Sequence, residues 1–325
     1  MAILIYGGGA IGLYLAARLA DAGNDVIVKV RTKVIAGSGG QPVKLMGADG
    51  VTKAYPQVRL VPDLSRVGEI SAAIIATKAW QVEEAAADIA PHVGPGTPVV
   101  TIQNGVEAPR IAAAQIPGGH VVAGTIVAVV VRHDYVTAEI VGRDATIHLG
   151  TFDRQDPTAA DTALMDALNR GGVETTWTRD IVSSLWGKLA LVAAFGGVGS
   201  ITGSPVGETR RTPETHDLVE RTAREILEVG NAAGARLGEG DIEAVMHIFD
   251  NEFQDNTTAS MQRDLWEGKP SELHDLTGAV VTNGHRLGVP TPINDTIYAA
   301  MVIRENRVRA TQPRPVTGAI PVVAG

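Results

Sequence analysis

Residues 2–12, AILIYGGGAIG, constrain the fold more than any other stretch. The short apolar run at 2–6 ends in glycines, the pattern of a strand buried on both faces. Gly7, Gly9 and Gly12 then stand in G-x-G-x-x-G spacing. Leu13, Ala16, Ala17 and Ala20 continue at helical spacing as far as Gly23, a natural helix stop, and DVIVKV at 25–30 reads as a second strand. Strand, glycine turn, helix and strand within about thirty residues form the context in which this fingerprint implies a dinucleotide site. Each position has a physical task. Gly7 permits the tight turn, Gly9 lets the backbone approach a pyrophosphate, and Gly12 lets the helix pack close to the strand. The helix start at Ala10 and Ile11 supplies amide donors and partial positive charge.

The end of the second strand selects the cofactor. An NAD enzyme usually carries a carboxylate there for the ribose hydroxyls. This chain has KVRTK, with Lys29, Arg31 and Lys33, and Asp25 stands too early in the strand. A guanidinium at Arg31 suits a 2′-phosphate, so NADP(H) is expected over NAD.

Strand-like and helix-like runs alternate from there: 72–77 and 98–103 as strands, 81–93 and 104–116 as helices. That alternation implies a doubly wound parallel sheet, in which ligands bind at the carboxyl ends of the strands. Lys78 and Asn104 lie just beyond two such ends. Residues 120–150 alternate like antiparallel strands closing the sheet.

After VETTWTRD the pattern turns helical, with Asp180 as a candidate N-cap. The expected organisation is a nucleotide-binding domain at 1–178, a helical domain at 179–308 and a Pro/Gly-rich tail at 309–325. The first helical run, IVSSLWGKLALVAAFGGVGS, contains one charge, Lys188. Lys188, Val192 and Gly196 are spaced four apart and share one face. Desolvation among apolar neighbours would depress the lysine pKa and make it a better proton donor. A snorkelling stem with its ammonium in water fits the same residues.

Composition excludes several classes. The chain has no cysteine, so disulfides, thiol nucleophiles and Cys-ligated zinc are ruled out. Its eight histidines are scattered, and no metal site is expected. Net charge is -8 with no dominant basic cluster, which argues against a nucleic-acid partner. MAILIYGGG reads as neither a signal peptide nor a membrane span, and a cytoplasmic location is expected.

Six separated segments in order, GGGAIG, TKAW, IQNGV, WGKL, TTASMQRDL and PSELHDLTG, resemble the ketopantoate reductase family from end to end, apart from the tail. The resemblance implies a Rossmann-like α/β domain and an all-α C-terminal domain of the 6-phosphogluconate-dehydrogenase-like type. It implies NADPH-dependent reduction of a 2-oxo acid, in pantothenate synthesis for the typical member, and a homodimer. Carried over by motif, Lys188 is the catalytic acid, Lys78 and Asn104 line the cofactor and substrate site, and Ser260 binds substrate. Glu272 contacts the substrate or the lysine. One departure matters. Typical members place asparagines four and eight residues after the lysine, where this chain has Val192 and Gly196. That wall is expected to be more apolar and roomier, which shifts the preference toward a more apolar 2-oxo acid or another carbonyl or alcohol substrate. A cofactor-binding sensor with little activity is the remaining alternative.

Overall fold

The computed structural model describes residues 2–311. By internal packing they form two compact units that divide between Lys188 and Leu189.

The first unit opens with β1 (Ala2–Tyr6), α1 (Ala10–Asp21) and β2 (Val26–Lys29). All five β1 residues are buried, as a strand inside a parallel sheet requires. There follow α2 (Thr32–Ser38), β3 (Val43–Met46), β4 (Thr52–Tyr55), β5 (Arg59–Val61), β6 (Ile70–Ile75) and α3 (Val82–Ile89). β7 (Pro98–Thr101), α4 (Ala108–Gln115), β8 (His120–Val127), β9 (Val130–Arg132) and β10 (Thr137–Ile140) come next. β11 (Thr146–Gly150), α5 (Ala159–Arg170) and β12 (Glu174–Trp177) complete the unit.

The main sheet has the order β12-β11-β8-β7-β6-β1-β2-β5. The run from β5 to β8 is parallel throughout. β11 is antiparallel to β8 and parallel to β12. The chain leaves β1 toward β2 on one side and returns to β6 on the other, so the topological switch point lies at the end of β1.

The expectation for 120–150 needs correction. β8 and β11 do close the main sheet, but β9 and β10 leave it. They join β3 and β4 in a second sheet of order β4-β3-β10-β9. The physical reason is α1, which is apolar nearly all round, with buried residues from Gly12 to Ala17 and again at Leu19 and Ala20. One face packs on the main sheet. The other is covered by the second sheet, whose Val43, Leu45, Tyr55, Ala138 and Ile140 share a core with Leu13 and Leu15.

The second unit is helical. Its helices are α6 (Ile181–Thr202), which begins in the first unit, α7 (Val206–Arg211), α8 (Pro213–Ala232) and α9 (Glu239–His247), the last extended by a π turn. α10 (Ser260–Trp266), α11 (Thr277–Leu287) and α12 (Pro292–Thr311) follow. Gly288, at φ 71°, ends α11 in the left-handed region. By length and composition alone α6 could cross a membrane, but most of its apolar stretch is buried inside the protein. α12 runs past residue 308, the expected end of the helical domain; residues 312–325 of the expected tail lie outside the described residues.

Candidate functional site

The glycine turn after β1 is built as its spacing requires. Gly7 has φ 121°, a region that only glycine occupies without strain. A Cβ there would also lie 2.9 Å from the Ala76 carbonyl oxygen. A Cβ on Gly12 would lie 1.8 Å from the Gly7 carbonyl oxygen, so Gly12 sets how closely α1 approaches β1. Gly9 differs. A Cβ there would meet only the Ala76 oxygen, at 3.9 Å. Gly9 is the N-cap of α1, with no side-chain cap and no acidic residue in the first turn. The first i→i−4 bond runs from the Leu13 amide to the Gly9 carbonyl, leaving the amides of Ala10, Ile11 and Gly12 without helical acceptors. An open face at Gly9, free amides and a helix dipole together fit a dinucleotide pyrophosphate.

The basic residues beyond β2 have distinct roles. Lys29 sits 4.5 Å over the Tyr6 ring and 3.8 Å from Asp88. Burial, and then the hydrogen bond from its hydroxyl to Asp88, hold the Tyr6 phenol well above its ordinary pKa. Asp25 pairs with Arg59 at 2.9 Å and is not placed for a ribose. Arg31, in extended backbone before α2, is exposed and has no side-chain partner among the described residues.

Lys78 and Asn104 follow the carboxyl ends of β6 and β7, on the same sheet edge as the glycine turn. Gln103 joins them, a role invisible in its sequence context. It is 5% exposed, and its amide donates to the carbonyls of Ile75 at 2.7 Å and Thr77 at 3.1 Å. This ties the Asn104 loop to the Lys78 loop. Asn104 itself is half-buried, and its amide has no partner among the described residues. Lys78 lies 5.8 Å from the Trp80 ring.

Lys188 reaches the same edge. Asp180 accepts from the Ser183 amide at 3.4 Å and starts α6. In WGKL, Trp186 and Leu189 are buried and Lys188 is half-exposed. Its Nζ donates to the carbonyl of Ile126 in β8 at 2.7 Å. Gly7, Lys78, Asn104 and Lys188 therefore stand at the carboxyl ends of the four adjacent strands β1, β6, β7 and β8.

Within the second unit, Val192 is half-exposed, one turn after Lys188 along α6. Gly196 departs from the expectation of a roomier wall. It is buried, and a Cβ on it would lie 2.9 Å from the Cβ of Ala259. The volume of the missing side chain is filled by the chain entering α10. Ser260 is the first residue of that helix and is half-buried. Gln262, 1% exposed, locks this turn to α6. Its amide donates to the carbonyls of Gly199 at 3.0 Å and Ser204 at 2.8 Å, and its Oε1 accepts from the Ala259 amide at 3.3 Å.

Glu272 is 4% exposed and lies in the turn before α11. Its neighbour Ser271 is captured by the fully buried Glu305, which accepts from the Ser271 amide at 3.1 Å and from its hydroxyl at 2.6 Å. Arg309 pairs with Glu305 and donates to the Ser271 carbonyl at 2.7 Å. Glu305→Gln keeps the size of the side chain and removes its charge. It is expected to lower stability by about 2 kcal/mol, read as a reduced unfolding midpoint. An unchanged midpoint would show that this network does not hold the Glu272 turn.

Residues 3–154 match the family model Ketopantoate reductase PanE/ApbA, and residues 180–305 match Ketopantoate reductase PanE/ApbA C terminal. A 2-dehydropantoate 2-reductase from Mesorhizobium japonicum is 29% identical over 322 residues, covering 92% of this chain and 96% of that one. Among solved structures, a PanE/ApbA family ketopantoate reductase from Ralstonia eutropha JMP134 superposes with TM-score 0.85 at 24% identity, covering 95% of this chain and 100% of that one. A D-mandelate dehydrogenase solved with NADH and anilino(oxo)acetate shares the fold at TM-score 0.84 and 21% identity, with the same coverage.

Proposed function

The chain belongs to the ketopantoate reductase family, and from that premise we propose that it is an NADPH-dependent oxidoreductase acting on the C2 carbonyl of a 2-oxo acid, with Lys188 as general acid. The observation that carries the reading is the position of Lys188. Its ammonium is held 2.7 Å from the Ile126 carbonyl, at the sheet edge where the glycine turn opens.

Bound NADPH supplies a hydride to the carbonyl carbon. Negative charge then grows on the carbonyl oxygen, and the Lys188 ammonium stabilises it and gives up a proton to form the alcohol. The bond to Ile126 fixes where that ammonium sits. Asn104 keeps its amide available to orient nicotinamide and substrate, which is a positioning task and not proton transfer. The amides of Ala10, Ile11 and Gly12 would hold the pyrophosphate at the glycine turn. Lys78 stands beside them, and Arg31 is the candidate partner of a 2′-phosphate. Ser260 is assigned to substrate and Glu272 to substrate or to Lys188, a homodimer is the assembly, and the cytoplasm is the compartment.

Val192 favours a second reading of the substrate. A half-exposed valine one turn from the acid offers no hydrogen bond, so a 2-oxo acid with an apolar substituent would fit better than one needing an amide partner. Steady-state rates with NADPH and a panel of 2-oxo acids test both readings. Efficient turnover of ketopantoate with none of the apolar analogues would sink the second and leave the first. Val192→Asn is expected to raise kcat/KM for ketopantoate by about tenfold. Gly196→Asn should not reproduce the gain, because its Cβ overlaps Ala259; it should destabilise by about 2 kcal/mol. A Gly196→Asn variant of unchanged midpoint would contradict that packing.

A further inference from the structure

We propose that Arg132 is a further cofactor-binding residue, whose guanidinium grips the glycine loop and pairs with the pyrophosphate. The assignment rests on the dinucleotide reading above. Arg132 is the last residue of β9, at the edge of the second sheet, and is exposed. Its Nη1 donates to the carbonyl of Gly8 at 3.2 Å. Gly8 stands between the Gly7 turn and the Gly9 cap, so the guanidinium lies against the loop that fits a pyrophosphate. That carbonyl is the one partner of the Arg132 side chain among the described residues.

The fold delivers the arginine there for a reason. α1 packs against β3, β9 and β10, so the sheet that covers the helix also brings the end of β9 to its N-terminal loop. The β9–β10 hairpin is held in register by Ala138 opposite Arg132, and its turn is pinned by Asp134. The Asp134 carboxylate accepts from the amides of Val136 at 2.8 Å and Thr137 at 2.7 Å, and from the Thr137 hydroxyl at 2.9 Å. Burial opposes ionisation there, but those donors hold the carboxyl below its ordinary pKa. Glu139, the other acidic side chain of the hairpin, bonds to His133 at 2.6 Å. Both carboxylates are thus engaged elsewhere, and neither neutralises Arg132.

A guanidinium has five donors in a planar fork, and one is spent on Gly8. The remaining donors add a second full positive charge, beside that of Lys78, to a cradle of backbone amides and a helix dipole. The location also says which phosphate is met. Gly8 belongs to the pyrophosphate turn, whereas Arg31, beyond β2, is placed for the 2′-phosphate.

The test is nucleotide binding by the full-length protein, read as nicotinamide fluorescence with NADPH and with NADH at two salt concentrations, alongside the unfolding midpoint. Arg132→Gln keeps a polar side chain with an amide donor and loses the charge. It is expected to weaken both nucleotides alike, by about tenfold, with an unchanged midpoint and a shallower salt dependence. Arg132→Lys should recover part of the affinity. Arg31→Ala, as a contrast, should weaken NADPH alone. Unchanged affinity in Arg132→Gln would overturn the assignment. So would a loss confined to NADPH, or a loss that accompanies a lowered midpoint equally in both Arg132 variants, which would mark a loop strut. A wild-type protein that binds neither nucleotide would overturn the dinucleotide reading and this assignment with it.

Discussion

Lys188→Ala is expected to lower kcat by about a thousandfold while leaving NADPH affinity little changed. The geometry separates the two effects. The ammonium is bonded to the Ile126 carbonyl at the end of β8, while the pyrophosphate cradle is the turn after β1, so removing the amine leaves the glycine turn intact. Alanine is also the best helix former, and Lys188 is half-exposed, so α6 keeps its fold. Lys188→Arg is the informative companion. It retains positive charge near the developing oxyanion but holds its proton too tightly to donate it, so activity should fall short of wild type. Pre-steady-state hydride transfer, followed as loss of nicotinamide absorbance, would locate the defect in the chemical step. Turnover near wild type in Lys188→Ala would remove the proton-donor assignment.

Gly12→Ala is expected to unfold the first unit or bring it close to unfolding, at a cost of about 3 kcal/mol or more. The added Cβ would sit 1.8 Å from the Gly7 carbonyl oxygen, a backbone atom that no rotamer change can move. α1 would have to lift away from β1, opening a core that the main sheet and the second sheet share. Against a total stability of about 5–15 kcal/mol this is a large fraction. Gly9→Ala is the control, because its Cβ meets only one atom at 3.9 Å. That variant should keep its unfolding midpoint and still lose nucleotide affinity, since the methyl group occupies space the pyrophosphate needs. The pair distinguishes a glycine required by packing from one required by a ligand. Equal midpoints for Gly12→Ala and wild type would contradict the close approach.

Much of the site was readable because its signals are local. The Gly7–Gly12 turn, the strands flanking α1 and the odd charge of Lys188 in an apolar helix each occupy a few residues in sequence. So does the absence of a carboxylate after β2, where the sequence reads KVRTK. The residues that escaped notice are polar groups whose partners are distant in sequence. Gln103, Gln262 and Glu305 look like ordinary surface residues, and each is buried in a network with backbone groups of another element. Gly196 read as empty space because a missing side chain does not say what fills its place.

Periodicity and glycine spacing determined the β1–α1–β2 unit, the parallel order of the sheet and the helical second half, since these follow from which face of each segment is apolar. They also singled out Lys188. Which sheet β9 and β10 would join was beyond their reach. Alternation specifies that a strand has one apolar face, but not which apolar surface will cover it. The unshielded outer face of α1 made that choice, drawing β9 and β10 away from the main sheet and bringing Arg132 to the glycine loop. The closing of Gly196 by Ala259 was decided in the same way, through packing between segments far apart in the chain.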